Sequence, residues 1–135
     1  MVALSTYLLL NGNCEQAMEF YRCCFGGELT LTKVGNSPMK NFIPTTMHEK
    51  VINAQLKSKN IDISASDWLR FDQTRIQGNM VCLYLSGGTF QDLKPFFDKL
   101  SEGGDVTDDL KESFFGVYGA INDKFGIRWM FHGNK

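Results

Sequence analysis

The feature that most constrains the fold of this 135-residue chain is a pattern that occurs twice. Each copy has an apolar run, a short turn containing glycine, a helical stretch with two adjacent aromatic residues, and a pair of glycines. The copies span 7–27 and 81–104, and one register aligns Asn13 with Thr89 and Phe20 with Phe96. The repetition predicts two similar halves that share a core and enclose a cleft.

Length and composition favour one domain built from two half-modules. The chain is 43% hydrophobic, which suffices for one ordinary core, and it is too short for two independent domains of typical size. We expect a single domain over 1–135, with half-modules at about 1–66 and 79–135. The net charge is -1 and no run of five like charges occurs, so neither nucleic acid nor an anionic membrane is an expected partner.

The amino terminus and the cysteines favour a cytoplasmic protein. The first ten residues have no basic region, and Ser5 and Thr6 interrupt their apolar stretch, so they predict a strand and not a secretory signal. No stretch approaches the length needed to span a bilayer. The four cysteines form no C-x-x-C pair, and the adjacent Cys23 and Cys24 point in different directions on a predicted helix. Reduced thiols are the simplest interpretation.

A first helix is predicted to follow Asn13. Asn13 and Gln16 have the spacing of a capping box, and Gly26-Gly27 is expected to end the helix, because glycine adopts the left-handed conformation that closes a last turn. Apolar residues at helical spacing predict the face that packs on a sheet. They are Cys14, Ala17, Met18, Tyr21 and Phe25.

A second helix is predicted to repeat the first. Thr89 and Asp92 form its capping box, and Gly103-Gly104 is expected to close it. Pro95 removes a backbone hydrogen bond beyond the first turn, which favours a start nearer Asp92. The predicted apolar face consists of Phe90, Leu93, Phe97 and Leu100.

Segments rich in β-branched residues complete each half as one strand, one helix and three strands. Beyond the apolar runs that open each half, strands are predicted at 28–34, 51–57, 60–66, 105–110, 115–121 and 127–131. The long loops are 35–46 and 66–78, and the second is the expected linker. One helix covers one sheet face, so the other must be buried differently. We expect an α+β fold in which two βαβββ modules form a cupped eight-stranded mixed sheet.

Nearly the whole chain resembles the vicinal oxygen chelate superfamily of glyoxalase and bleomycin-resistance proteins, specifically its PhnB-like branch. The most specific stretches are Asn-Gly-Asn-Cys-Glu at 11–15 and Asp-Lys-Phe-Gly-x-x-Trp at 123–129. The other matching stretches are 7–10, 16–21, 26–28, 61–67 and 115–119. The resemblance implies paired βαβββ modules and a homodimer. It does not by itself imply a reaction.

Enzymes of this superfamily hold a divalent metal in the cup through residues on the first, fourth, fifth and eighth strands. By alignment those positions are Thr6, Ser64, Cys82 and Met130 here, and only Cys82 is a standard ligand. Asn53-Ala54 also stands where the branch often has His-Ala. We therefore expect no metal and no other cofactor, and the resemblance leaves any catalytic residue unknown.

A shift of two residues would keep a strand position on the same sheet face. Such a shift would bring Asp62, Tyr84, Arg128 or His132 into the cup. Asp62 and His132 would then offer two metal ligands, with the third missing. Otherwise both histidines, His48 and His132, are interpreted as solvated surface residues.

Several polar side chains are candidates for the wall of a ligand pocket. Tyr84 and Tyr118 carry hydroxyls that seek a partner inside a cup. Arg128, if it faces the cup, can hold a carboxylate or phosphonate bidentately. Cys82 is favoured as a small residue of a buried strand. The complete predicted wall is Thr6, Asp62, Ser64, Cys82, Tyr84, Tyr118, Arg128 and Met130.

The preferred functional hypothesis is a protein that binds a small organic molecule in its cup without a catalytic metal, for sequestration or sensing. One alternative is a metal-dependent enzyme of glyoxalase, lyase or dioxygenase type. Another is a protein-interaction module. The branch often carries the label of demethylubiquinone methyltransferase, but no glycine-rich loop followed by an acidic residue suits a methyl-donor nucleotide.

Overall fold

The computed structural model describes residues 1–134, which contain eight strands and two α-helices. In chain order they are β1 Thr6–Leu10, α1 Cys14–Phe25, β2 Glu28–Lys33, β3 Val51–Ser58, β4 Ile61–Asp67, β5 Leu83–Ser86, α2 Phe90–Leu100, β6 Asp105–Ser113, β7 Gly116–Asn122 and β8 Arg128–Gly133. The predicted pair of βαβββ modules is confirmed. Neither helix in this range has the length and apolar character needed to cross a membrane.

The strands form two four-stranded sheets with the same topology. Their orders are β1-β4-β3-β2 and β5-β8-β7-β6. In each sheet the first strand pairs in parallel with the last, and the remaining pairs are antiparallel. Each sheet lies in its own compact unit: the first unit is Met1–Ile76, and the second begins at Gln77. The repeat in the sequence is therefore a repeat of topology.

The core of the first unit lies between α1 and one face of its sheet. Alternate strand residues point to this face, and the register places Leu31, Ala54, Ala65 and Leu8 side by side across the four strands. The predicted apolar face of α1 is confirmed except at its end, where Cys24 is buried and Phe25 is only half-buried. The buried residues of the helix are Cys14, Ala17, Met18, Tyr21 and Cys24. Each large apolar side chain buried here contributes about 1.5–3 kcal/mol.

The start of α1 is held differently from the prediction. Asn13 occupies the N-cap position, but its side chain makes no capping hydrogen bond. The carboxylate of Asp67, at the end of β4, takes that role: its Oδ1 accepts the Cys14 N–H at 2.9 Å, and its Oδ2 accepts the Val51 N–H at 2.8 Å. The predicted Asn13–Gln16 capping box is therefore wrong, because a distant strand supplies the acceptor.

The second helix keeps its capping box and starts earlier than predicted. Thr89 Oγ1 accepts the Asp92 N–H at 3.3 Å, and the Asp92 carboxylate accepts the Thr89 N–H at 2.8 Å. The helix begins at Phe90, so the expected shift toward Asp92 is wrong: the box satisfies the first turn, and Pro95 lies on the exposed side. The helix ends at Leu100, and Gly103 lies in the turn that follows.

One predicted surface residue has a structural role in the first unit. The loop between β2 and β3 folds into three short 3-10 helices at 34–36, 38–41 and 45–47. His48 Nε2 lies 3.0 Å from the Lys40 carbonyl oxygen and 2.9 Å from that of Ile43. Because carbonyl oxygens only accept, this nitrogen donates. The interpretation of His48 as a solvated residue is wrong, since its ring closes this loop.

Candidate functional site

The face of the first sheet opposite α1 is lined by polar side chains. Strand register places Tyr7, Ser64, Gln55 and Thr30 in one row across the four strands. These residues alternate with the buried ones, so they point away from the helix. We call this surface the first open face. It carries hydroxyl and amide groups that can donate and accept hydrogen bonds.

A depression of about 330 Å³ lies on the first open face. Its lining residues are Tyr7, Thr30, Leu31, Thr32, Asn53, Gln55 and Ser64. Among the predicted wall residues, Ser64 therefore lines this depression. Asp62 lies beside it, where its Oδ1 accepts the Gln55 Nε2–H at 3.2 Å. Thr6 shares the helix-facing side with Leu8, so the position at the open face belongs to Tyr7.

The second sheet has an open face of different composition. Register places Tyr84, Met130 and Ala120 in one row, and Ser86, His132 and Tyr118 in the next. Trp129 and Phe131, which alternate with Met130 and His132, are buried on the side of α2. We call this surface the second open face. The predicted wall residues Tyr84, Tyr118 and Met130 all lie on it.

Four rings on the second open face form a cluster that we call the ring cluster. It consists of Tyr84, Phe115, Tyr118 and His132. The centroids of Tyr84 and His132 are 6.5 Å apart with planes inclined by 13°, and those of Phe115 and His132 are also 6.5 Å apart, inclined by 22°. Tyr118 meets Phe115 edge-on, with centroids 6.4 Å apart. His132 is therefore half-buried among rings, and its interpretation as a solvated residue is wrong.

Arg128 occupies the first position of β8, on the same side as Met130. Its Nη1 donates to the Asn79 carbonyl oxygen at 3.0 Å. A polar depression of about 700 Å³ adjoins it, between residues 77–79 and the β7–β8 turn. The guanidinium therefore binds the chain's own backbone.

The structure places Cys82 differently from the prediction. It precedes β5 and is half-buried, so its interpretation as a residue of a buried strand is wrong. Asp62 and His132, the possible metal ligands of the shifted register, lie on the open faces of different units. Within residues 1–134, no group of three or more His, Cys, Asp or Glu side chains is placed to hold a metal ion.

The thiols differ strongly in their surroundings. Cys23 is exposed, whereas Cys14 is fully buried at the start of α1. Burial, together with the Asp67 and Glu15 carboxylates, raises the pKa of the Cys14 thiol to about 12. Because the thiolate is the nucleophile, Cys14 has neither the access nor the ionisation needed for reaction.

Thiol titration is expected to follow this difference. In folded protein at pH 8, Ellman's reagent should react rapidly with Cys23 and should not react with Cys14 until the protein unfolds. Cys23→Ser should remove most of the fast phase of absorbance change and leave the slower contribution of the half-buried Cys82, and Cys14→Ala should leave the fast phase intact. A fast phase that Cys14→Ala abolishes would contradict the burial of that thiol.

Comparison with known proteins identifies the family. Residues 2–131 match the family described as 3-demethylubiquinone-9 3-methyltransferase. The chain belongs to this family. It is 28% identical over 141 aligned residues to protein YjdN of Escherichia coli strain K12, an alignment that covers 94% of this chain and 92% of YjdN.

Solved structures of related proteins share the fold of this chain. Protein PA1353 of Pseudomonas aeruginosa is 26% identical, with a TM-score of 0.86 over 99% of this chain and 98% of that one. A putative 3-demethylubiquinone-9 3-methyltransferase, PhnB protein, from Bacillus cereus is 20% identical, with a TM-score of 0.75 and coverage of 98% and 99%.

A more distant structure connects the fold with the glyoxalases. It is a glyoxalase/bleomycin resistance protein/dioxygenase family enzyme from Burkholderia phytofirmans PsJN, 10% identical, with a TM-score of 0.65 over 96% of this chain and 98% of that one. The family match agrees with the expected resemblance to the PhnB-like branch, and the solved structures confirm the glyoxalase/bleomycin-resistance fold for this family member.

Several residues of the two open faces are absent from the predicted pocket wall. Tyr7, Asn53 and Gln55 line the first depression, and Phe115 belongs to the ring cluster. The signal for Tyr7, Asn53 and Gln55 was the period-two alternation of polar and apolar residues within each strand. Phe115 lies in the β6–β7 turn, where no periodicity predicts its direction.

Proposed function

We propose that the protein binds a small organic molecule on its open faces, as a cytoplasmic homodimer without a catalytic metal, and that it serves to sequester or sense that molecule. The chemistry of the two faces supports this function. The first offers hydroxyl and amide groups, and the second offers rings together with the Tyr84 and Tyr118 hydroxyls. A few polar groups among apolar and aromatic side chains are typical of small-molecule sites.

The observation that carries the proposal is the identity of the side chains at the positions where related enzymes hold a metal. Ser64 and Met130 lie on open faces, where their strands place a hydroxyl and a thioether. Divalent metals at catalytic sites are held by imidazole, carboxylate or thiolate groups, usually three from the protein. A hydroxyl and a thioether suit an organic ligand better than a hard cation.

Two further observations support the proposed homodimer and the proposed cytoplasmic location. Large apolar side chains are exposed in the single chain, among them Phe114 at 85% and Met80 at 91%. Burial of these side chains against a second chain would remove apolar surface from water, which favours association. Four free cysteines, one of them exposed, fit a reducing compartment.

Native mass spectrometry of the protein purified without chelators tests oligomeric state and metal content together. We expect a dimer of the 15.3 kDa chain, with no adduct at the mass of zinc, nickel, manganese or iron. Incubation with EDTA should leave the melting temperature unchanged, because no bound ion contributes to stability. About one metal ion per chain, lost with EDTA together with stability, would favour the metal-dependent enzyme instead.

A screen for ligands tests the binding function itself. Small organic molecules that bind the folded state should raise its melting temperature, with a stabilisation that grows with the logarithm of their concentration above Kd. Ser64→Ala and Tyr118→Phe each remove one hydroxyl from an open face without creating a cavity. A ligand of the proposed site should bind more weakly to one or both variants. S-adenosylmethionine should leave the melting temperature of the protein and of both variants unchanged.

A further inference from the structure

We propose that the ring cluster is a binding site for a flat aromatic or heteroaromatic ring. This inference rests on the proposed function, because it names the class of molecule that the second open face would take. The cluster lies wholly within the second unit, and its rings come from β5, the β6–β7 turn, β7 and β8.

The inclination of the rings is the first argument. Aromatic side chains that pack against each other in the same unit meet edge to face: Phe97 and Phe131 are inclined by 65°, and Phe114 and Phe115 by 88°. Within the ring cluster, the planes of Tyr84 and Phe115 lie within 13° and 22° of that of His132. These three rings share nearly one orientation, so a flat ring that lies parallel to one of them can align with the others by offset stacking.

Exposure is the second argument. Tyr84 is 56% exposed and Phe115 is 52% exposed, although aromatic side chains normally lose most of their surface on folding. His132 and Tyr118 are half-buried and lie opposite each other in the register of β7 and β8. Two rings are therefore fixed by the sheet, and two present surface to a ligand.

The choice of ligand class follows from comparison of the two open faces. The depression of the first face is lined mainly by hydroxyl and amide groups, which recognise polar substituents by hydrogen bonding. The second face provides ring surfaces, which recognise flatness and π-electrons. An aliphatic ligand of equal size would bury similar apolar area on the ring cluster but would gain no stacking energy.

A matched pair of probes tests the inference on the full chain. The probes are 2-naphthoate and its saturated analogue decahydro-2-naphthoate, which share a carbon skeleton and a charge. We expect 2-naphthoate to bind about tenfold more tightly in isothermal titration calorimetry, since stacking adds to the energy of apolar burial. At equal occupancy, the amide and imidazole signals of His132 in NMR spectra should shift more with the aromatic probe than with the saturated one.

Variants assign the binding to the ring cluster. Tyr84→Leu keeps apolar bulk without a ring and should reduce the affinity for 2-naphthoate about fivefold, whereas Tyr84→Phe should retain it. Phe42→Leu is the matched control, because Phe42 is 77% exposed in the loop between β2 and β3, outside both open faces. This control should leave the affinity unchanged.

Three results would overturn the inference: equal affinity for the two probes, no binding of either, or no effect of Tyr84→Leu. The second result, combined with dissociation of the dimer by Phe115→Ala, would assign the ring cluster to contact with a second copy of the chain. Equal affinity for the two probes would leave the proposed function standing and reject only its aromatic specificity. The failures of the two proposals are thus distinguishable.

Discussion

Replacing Asp67 with Asn is expected to lower the free energy of unfolding of the first unit by about 2–4 kcal/mol. The carboxylate is 2% exposed and accepts the N–H groups of Cys14 and Val51 through different oxygens. An asparagine amide has one oxygen, so its NH2 group would face one of these donors. The change also removes a negative charge from the first turn of α1, where the helix dipole favours it.

Urea unfolding at fixed protein concentration measures this loss. Each unit has one tryptophan, so Trp68 fluorescence in a Trp129→Phe background reports on the first unit. Asp62→Asn is the matched control, because Asp62 lies on the same strand with its carboxylate exposed. Its unfolding midpoint should not move. Equal midpoints for Asp67→Asn and Asp62→Asn would show that the buried carboxylate does not hold α1 to β3.

Replacing Asp123 with Asn is expected to cost the second unit a similar amount, about 2–4 kcal/mol. This carboxylate is 3% exposed. Its Oδ1 accepts the N–H groups of Phe125 and Ile127 at 2.9 and 3.0 Å, and its Oδ2 accepts the indole N–H of Trp129 at 2.8 Å. The carboxylate accepts from these three donors through two oxygens, whereas an asparagine amide has only one acceptor oxygen. We therefore expect the β7–β8 turn to loosen.

A double-mutant cycle assigns part of this cost to one hydrogen bond. Trp129→Phe removes the indole donor. In that background Asp123→Asn should lower the free energy of unfolding by about 1–2 kcal/mol less than it does in the unmodified protein. Far-UV circular dichroism in urea can follow all four proteins, because it does not depend on the tryptophan. Additive effects of the two substitutions would contradict an energetic link between Asp123 and Trp129.

The predictable part of the fold is the part that local sequence determines. The apolar spacing of both helices, the Thr89–Asp92 box and the glycine that ends α1 all act within a few residues, and the structure confirms them except at Phe25 and Phe90, which are only half-buried. The failure at Asn13 has the opposite cause. The residue that accepts the Cys14 N–H in place of Asn13 is Asp67, which is 53 residues from Cys14. No local pattern connects the two.

The candidate site was predictable only in part for a related reason. Period-two alternation correctly groups Tyr84 with Met130, but the face of a strand reverses with a shift of one residue. The first strand shows this, because Tyr7 and not Thr6 belongs to the open face. The angles between rings depend on three-dimensional placement, so the ring cluster was not accessible from sequence.

The parallel pairing of the first and last strands of each unit has a consequence for biosynthesis. Thr6 pairs with Ile63, so the first strand of the nascent chain has no sheet partner until β4 has been translated. The β3–β4 hairpin joins neighbouring segments, so it forms with a small entropic cost of loop closure. Pairing of β1 with β4 closes a much longer segment and has a larger entropic cost. Ribosome-bound chains that stop before residue 61 therefore expose an apolar strand without its sheet partner, a form that a chaperone would protect from aggregation.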